Sequence, residues 1–147
     1  MRIYLDNCCF NRPFDDQNQV KINAETQAKL YIQEKILRNV FDLCWSFMLD
    51  YENNDNPFEN RKLRIGKWRD VAKHNCNMSN DYIEKKAEQL QAVGLRKKDA
   101  VHLSCAIHSN CDYFITTDMG ILKRNLKEIT IVDPLEFIRR LEQDHEI

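Results

Sequence analysis

Apolar residues along this chain fall into two patterns, short runs of β-forming residues and stripes that recur every three or four positions. The alternation of the two predicts strands separated by helices. Arg2 to Leu5 reads as a short strand that ends at Asp6. Asn7 to Gln19, with Pro13, Asp15, Asp16 and several amides, reads as a loop. From Ile22 to Val40 the positions of Ile22, Ala28 or Lys29, Ile32, Ile36 and Val40 predict a helix with one apolar face. Phe41 to Trp45 reads as a second strand, and Ser46 as the N-cap of a helix carrying Phe47, Met48, Tyr51 and Glu52. Asn56-Pro57 predicts a helix with Pro at its first position, running to about Ala72. Lys73 to Met78 holds a candidate short strand. Ser79 or Asn80 caps the next helix, with Tyr82, Ile83, Ala87, Leu90 and Val93 as its stripe and Gly94 as its left-handed terminator. A further helix starts near Lys98, carries Ala100, Val101, Leu103, Ala106 and Ile107, and closes at Asn110. Tyr113 to Thr116 is a compact strand ending in Thr117-Asp118, and Ile121 to Arg124 a helical turn. Ile129 to Val132 is the last strand, and Pro134 opens a terminal helix to about Gln143.

Strands alternating with helices imply right-handed βαβ units and a mainly parallel sheet covered on both faces, a three-layer α/β/α architecture. The 147 residues fit one domain, 1–147, with no repeat or linker; only three Gly and three Pro occur. No apolar run approaches the ~18 residues of a membrane span, and Met1 to Asp6 lacks the apolar stretch of a signal peptide, so a cytoplasmic location is expected. In that setting Cys8, Cys9, Cys44, Cys76, Cys105 and Cys111 read as reduced, mostly buried residues, and no Cys-x-x-Cys pair suggests a zinc ribbon. The net charge of −1 argues against nucleic-acid binding through a global positive field. It leaves local basic patches: Arg61, Lys62, Arg64, Lys67 and Arg69 around Trp68; Arg96, Lys97 and Lys98; and Lys123, Arg124 and Lys127.

The candidate chemistry lies in acids at element ends. Ligand sites of parallel α/β sheets lie outside the carboxyl ends of the strands. Asp6 and Asp118 follow strands, Asp99 sits in the first turn of its helix, and Glu52 lies two turns into a helix that begins just after a strand. Clustered carboxylates repel unless protons or cations compensate them, and Mg²⁺ and Mn²⁺ prefer such hard oxygen ligands. A metal so held lowers the pKa of a water, aligns it with a phosphate and stabilises the leaving oxygen. Thr116 is placed to orient an aspartate or a water, and Asn7 to hold a carboxylate or a phosphate oxygen. The competing reading makes Asp99 a capping charge, Glu52 a surface residue and Asp118 a turn former; only their joint placement favours function.

Four segments resemble the PIN domain family: Ile3-Tyr4-Leu5-Asp6-Asn7; Trp45-Ser46 leading to Glu52; Lys98-Asp99-Ala100-Val101-His102-Leu103-Ser104-Cys105-Ala106; and Phe114-Ile115-Thr116-Thr117-Asp118 with Ile121-Leu122-Lys123. Ile131 to Phe137 is similar to the family's tail, so the likeness spans nearly the whole chain. It implies a PIN-like fold and a Mg²⁺- or Mn²⁺-dependent endoribonuclease, as in VapC-type toxins of toxin–antitoxin pairs. Asp6, Glu52, Asp99 and Asp118 would be the metal ligands, with Thr116 supporting; Glu25 competes with Glu52 for the second acid. The implied partners are an RNA substrate, an antitoxin protein and a second copy in a homodimer. The stretch Asn7 to Phe14 is longer and more distinctive than the family's usual loop, which weighs on the toxin assignment more than on the nuclease one. The alternative is a catalytically inactive PIN-fold module that binds RNA or protein. A phospho-acceptor domain ranks lower, because Asp6 stands alone after the first strand where an acidic pair is needed.

Other signals are weaker. His102, Cys105, His108 and Cys111 recur every third residue, but such steps drift by about 60° each around a helix, so packing is favoured over zinc. The Arg61–Arg69 stretch is read as a solvated helix face with Trp68 packed inward, ahead of a phosphate-binding surface. Arg12 either clamps a phosphate or pairs with a site acid. Cys8 lacks a nearby histidine partner for thiol catalysis, and the hydrolytic scheme requires no histidine base.

Overall fold

The computed structural model describes residues 1–144, through which one five-stranded, all-parallel sheet runs in the order β3-β2-β1-β4-β5. The strands are β1 (Arg2–Leu5), β2 (Asp42–Ser46), β3 (His74–Cys76), β4 (Tyr113–Ile115) and β5 (Thr130–Val132). Between and after them lie α1 (Asn7–Asn11), a 3₁₀ turn at Arg12–Phe14, α2 (Val20–Leu37), α3 (Phe47–Asn54), α4 (Glu59–Val71), α5 (Asp81–Ala92), α6 (Lys97–His108), α7 (Met119–Leu122) and α8 (Pro134–Gln143).

Strand side chains alternate between the two faces, and each face has its own helices. Ile3 and Tyr113 are register partners, and the Tyr113 ring meets Phe137 of α8 edge-on at 5.0 Å. Tyr4 pairs with Phe114 in the next register position; their rings stack at 5.1 Å, and Tyr4 also meets His102 of α6. The sheet is therefore covered on both sides, as the three-layer reading predicts. Both faces are dry: Ile3, Leu5, Leu43, Trp45, Phe114 and Phe137 are fully buried.

From β1 the chain winds outward through β2 to β3, then crosses back to lay β4 on the other side of β1. The gap between the ends of β1 and β4 is thus a topological switch point, where open α/β sheets form their ligand crevice. Asp6 stands at the end of β1, and Thr116 to Asp118 follow β4.

The structure departs from the sequence reading in several places. Asn7 to Phe14 is helical, not a loop, because the Asp6 side chain caps α1 by accepting from the Asn7 N–H. Helix α4 begins at Glu59, not at Pro57, because Asn56 Oδ1 accepts from the Phe58 N–H and holds a turn there. Val40 lies beyond α2 and is exposed, as are Tyr82 and Val93 of the expected α5 stripe; Ile83, Ala87 and Leu90 are buried. The expected caps at Ser46 and Asn80 are present, their side chains accepting from the Leu49 and Ile83 N–H groups. Gly94 has φ +106°, and Gly94 N–H to Gln91 O with Leu95 N–H to Leu90 O closes α5 as a Schellman turn. Asn110, at φ 58°, closes the end of α6.

Candidate metal centre at the sheet edge

Asp6, Glu52, Asp99 and Asp118, from four separate elements, line one cavity of about 400 Å³ together with Asn7, Cys8, Arg96, Lys97 and Lys98. Glu25 is elsewhere: it is buried in α2, with its Oε1 3.3 Å from Arg12 Nε. Arg12 reaches Asp15 and Glu25 and is not among the cavity residues, so it pairs with none of the four acids there.

Each acid is mounted by its own local chemistry. Asp6 is 6 % exposed; its Oδ1 accepts from the Asn7 N–H at 2.8 Å, and its Oδ2 from the Thr116 hydroxyl at 2.8 Å. Thr116 is fully buried, and its oxygen also accepts from the Asp118 N–H at 3.1 Å, so one hydroxyl ties the ends of β1 and β4 together. Asp118 caps α7, with Oδ1 taking the Gly120 N–H at 2.7 Å and the Ile121 N–H at 3.3 Å. Asp99 projects from the first turn of α6, where the helix dipole favours a carboxylate. Burial nevertheless raises its pKa, and the charges of Asp6 and Asp118 push the same way against the lowering effect of Arg96.

Arg96, and His102 when protonated, answer this negative charge. Arg96 donates from Nε to Asp99 Oδ2 at 3.0 Å and from Nη2 to Asp118 Oδ2 at 2.6 Å, bridging two of the acids. His102 is 1 % exposed and hydrogen-bonds Glu52 through Nε2, with Asp6 Oδ1 3.8 Å from the same nitrogen. Its Nδ1 lies 2.5 Å from the Tyr4 hydroxyl, which is itself 2.6 Å from Ser46 Oγ. Burial alone would lower the His102 pKa; the Glu52 hydrogen bond and the charges of Asp6, Glu52 and Asp99 outweigh it and raise it.

His102 is the residue that sequence reasoning passed over. Its ring nitrogen and one oxygen each of Asp6 and Glu52 lie within 4.8 Å of one another, a spacing one cation can bridge. The signal was present in the Asp99-Ala-Val-His102 spacing, since residues three apart share a helix face. The alternative His–Cys zinc pattern is not assembled: among the described residues the metal-competent group is Asp6, Glu52 and His102, without a cysteine. Cys8 instead contacts Asp6 and Thr116 through sulfur, while the other five cysteines are buried and free. Trp68 packs against the core from α4, in line with the inward reading.

No family model matches the chain, and no curated protein does. Among solved structures, the chain is similar to VapBC2 from Rickettsia felis bound to a DNA fragment from its promoter. The TM-score is 0.56 at 13 % identity, over 90 % of this chain and 98 % of that one. This likeness is one of fold: with the sheet order above, it gives a PIN-like three-layer architecture. Among the described residues no helix is long and apolar enough to cross a membrane.

Proposed function

We propose that this chain is a divalent-metal-dependent endoribonuclease that hydrolyses RNA phosphodiester bonds, of the kind that serves as the toxin of a toxin–antitoxin pair. The observation that carries the reading is the convergence of Asp6, Glu52, Asp99 and Asp118 on one cavity at the switch point of the sheet. The donor set fits Mg²⁺ or Mn²⁺: hard carboxylate oxygens, with room for the waters Mg²⁺ keeps. A cation held there supplies Lewis-acid stabilisation to a phosphate and acidifies a water at neutral pH.

The chain's own groups do the positioning. Thr116 and the Asn7 N–H fix both oxygens of Asp6, and the α7 N-terminus fixes Asp118. His102, held by Tyr4, orients Glu52. Lys97 and Lys98, exposed at the mouth of the cavity, offer positive charge to the phosphates flanking the cut. The VapBC2 likeness supports an antitoxin protein as a partner, and RNA and a second copy of the chain complete the proposed set.

A second reading, a module that keeps the fold without turnover, is favoured by Arg96, which already neutralises Asp99 and Asp118. Its side chain is 73 % exposed, however, and ion pairs of exposed side chains are weak, so a divalent ion displaces it readily. Purified protein with Mn²⁺ is expected to cut single-stranded RNA, and EDTA to stop it. Asp99→Asn and Glu52→Gln are each expected to lower cleavage at least ~100-fold. Glu25→Gln is expected to leave cleavage intact while lowering the melting temperature. Metal-independent RNA binding with no Mn²⁺ heat in calorimetry would establish the second reading instead.

A further inference from the structure

A second cavity, of about 430 Å³, lies between α1, the 3₁₀ turn, α2 and α4. It shares no lining residue with the acidic one. Its walls are mostly apolar and planar, with Phe10, Phe14 and Trp68 contributing rings. Its polar groups are Lys29, Gln33 and Arg64; no carboxylate lines it.

Two of those groups are unusual. Lys29 is only 5 % exposed, yet among the described residues its ammonium has neither a salt bridge nor a hydrogen bond. Its nearest favourable contact is the Phe10 ring, 5.8 Å away. The acid one turn earlier, Glu25, is taken by Arg12. Gln33 lies one turn further along the same face of α2, is also 5 % exposed, and its Nε2 has no partner. Buried polar groups in folded chains are nearly always hydrogen-bonded, and buried charges paired. Lys29 and Gln33 line the same space, and exposed Arg64 brings a second positive charge from α4. Small-ligand sites have this form: a few hundred Å³, largely apolar, with a few convergent polar groups.

We infer that this cavity binds a small molecule made of a planar ring bearing one carboxylate or phosphate group. The anion sits against the Lys29 ammonium and the Gln33 amide, and the ring lies among Phe10, Phe14 and Trp68. An aromatic acid and a nucleoside monophosphate share that chemistry.

The probes are 1-naphthoate, its neutral analogue 1-naphthalenemethanol, and uridine 5′-monophosphate, titrated without metal into the full-length protein. Binding is read by tryptophan fluorescence and calorimetry. 1-Naphthoate is expected to bind at least about tenfold more tightly than the neutral analogue, the margin of a charged hydrogen bond. Lys29→Met and Gln33→Leu are expected to remove that margin. Stronger binding of uridine monophosphate than of naphthoate would assign the site to nucleotides, and the reverse order to aromatic acids. Equal affinity for the anionic and neutral probes, or Lys29→Met binding naphthoate like the parent, overturns the inference. So does a Lys29→Met protein that melts lower, since an unpaired ammonium cannot be what holds the fold. RNA cleavage enters none of these readouts, so failure of the nuclease assignment leaves the test intact.

Discussion

The Thr116 hydroxyl serves both the Asp6 carboxylate and the Asp118 N–H from a fully buried position. Thr116→Val keeps the shape but leaves the Asp118 N–H unpaired and Asp6 Oδ2 with only the Cys8 thiol, which is expected to cost about 1–3 kcal/mol of stability. It should also weaken Mn²⁺ binding; Thr116→Ser, which keeps the oxygen, should restore both, as melting and calorimetry would show. The placement of Asp6, Asp99, Thr116 and Asp118 was readable in the sequence because each stands at an element end, and that of Glu52 because its helix begins just after a strand. His102 was readable only in part: its spacing from Asp99 puts it on the same helix face, but its contact with Tyr4 is one that no local pattern encodes. Lys29 was hidden differently: it fell in the apolar stripe of α2, where periodicity marks a buried position without saying what buries it. Burial pushes the Lys29 pKa down to about 8, with only a weak opposing effect from Cys9. Below that pH the folded chain carries the whole penalty of an unpaired ammonium. Between there and the ordinary lysine range the folded chain sheds its proton while the unfolded chain keeps it, and stability rises with pH. Lys29→Met is therefore expected to raise stability near pH 7 by up to about 3 kcal/mol, a gain that shrinks toward pH 10. Equal gains in melts at the two pH values would contradict that assignment.

Among the elements, the short helices carry the site, and they were the hardest to foresee. Helix α1 has five residues and α7 four, too few for a repeating stripe, so α1 was read as loop and α7 was expected two residues late. What makes them helices is capping by Asp6 and Asp118, residues noticed for their charge rather than for their backbone role. The long helices and four of the strands were readable from residue pattern, with β3 only a candidate within Lys73–Met78, and so was the Schellman stop at Gly94 that delivers Arg96 to the cavity mouth. The tight α7 cap has a testable consequence. A Cβ on Gly120 would sit 3.0 Å from Asp118 Oδ1, closer than ordinary van der Waals contact. Gly120→Ala is expected to shift that carboxylate without removing its charge. Mn²⁺ affinity should fall severalfold while stability changes by no more than about 1 kcal/mol, the gain from replacing a helical glycine offsetting part of the strain. Unchanged metal affinity would mean that Asp118 has slack in its cap.

At the scale of the whole molecule, 22 basic and 23 acidic side chains leave almost no net field to draw in a polyanion. Affinity for RNA must then come from where the positive charges stand. Exposed Lys97 and Lys98 open α6 beside the acidic cavity, and Lys98 lies over the Tyr51 ring at 5.5 Å, which steadies it at the mouth. Single-stranded nucleic acid releases about 0.7 counterion for each phosphate a protein neutralises, and the logarithm of affinity falls with the logarithm of salt in proportion. If these two lysines each meet one phosphate, Lys97→Ala with Lys98→Ala should flatten that slope by about 1.4 and weaken binding most at low salt. The cavity acids repel the same phosphates, so Mg²⁺ should strengthen binding in the parent and do so less in Asp99→Asn. Filter binding of a short single-stranded RNA across a salt series, with and without Mg²⁺, measures both effects. A slope unaltered by the double substitution would move the RNA path away from the mouth of the acidic cavity, and the nuclease assignment would lose the contact that brings a phosphate to its acids.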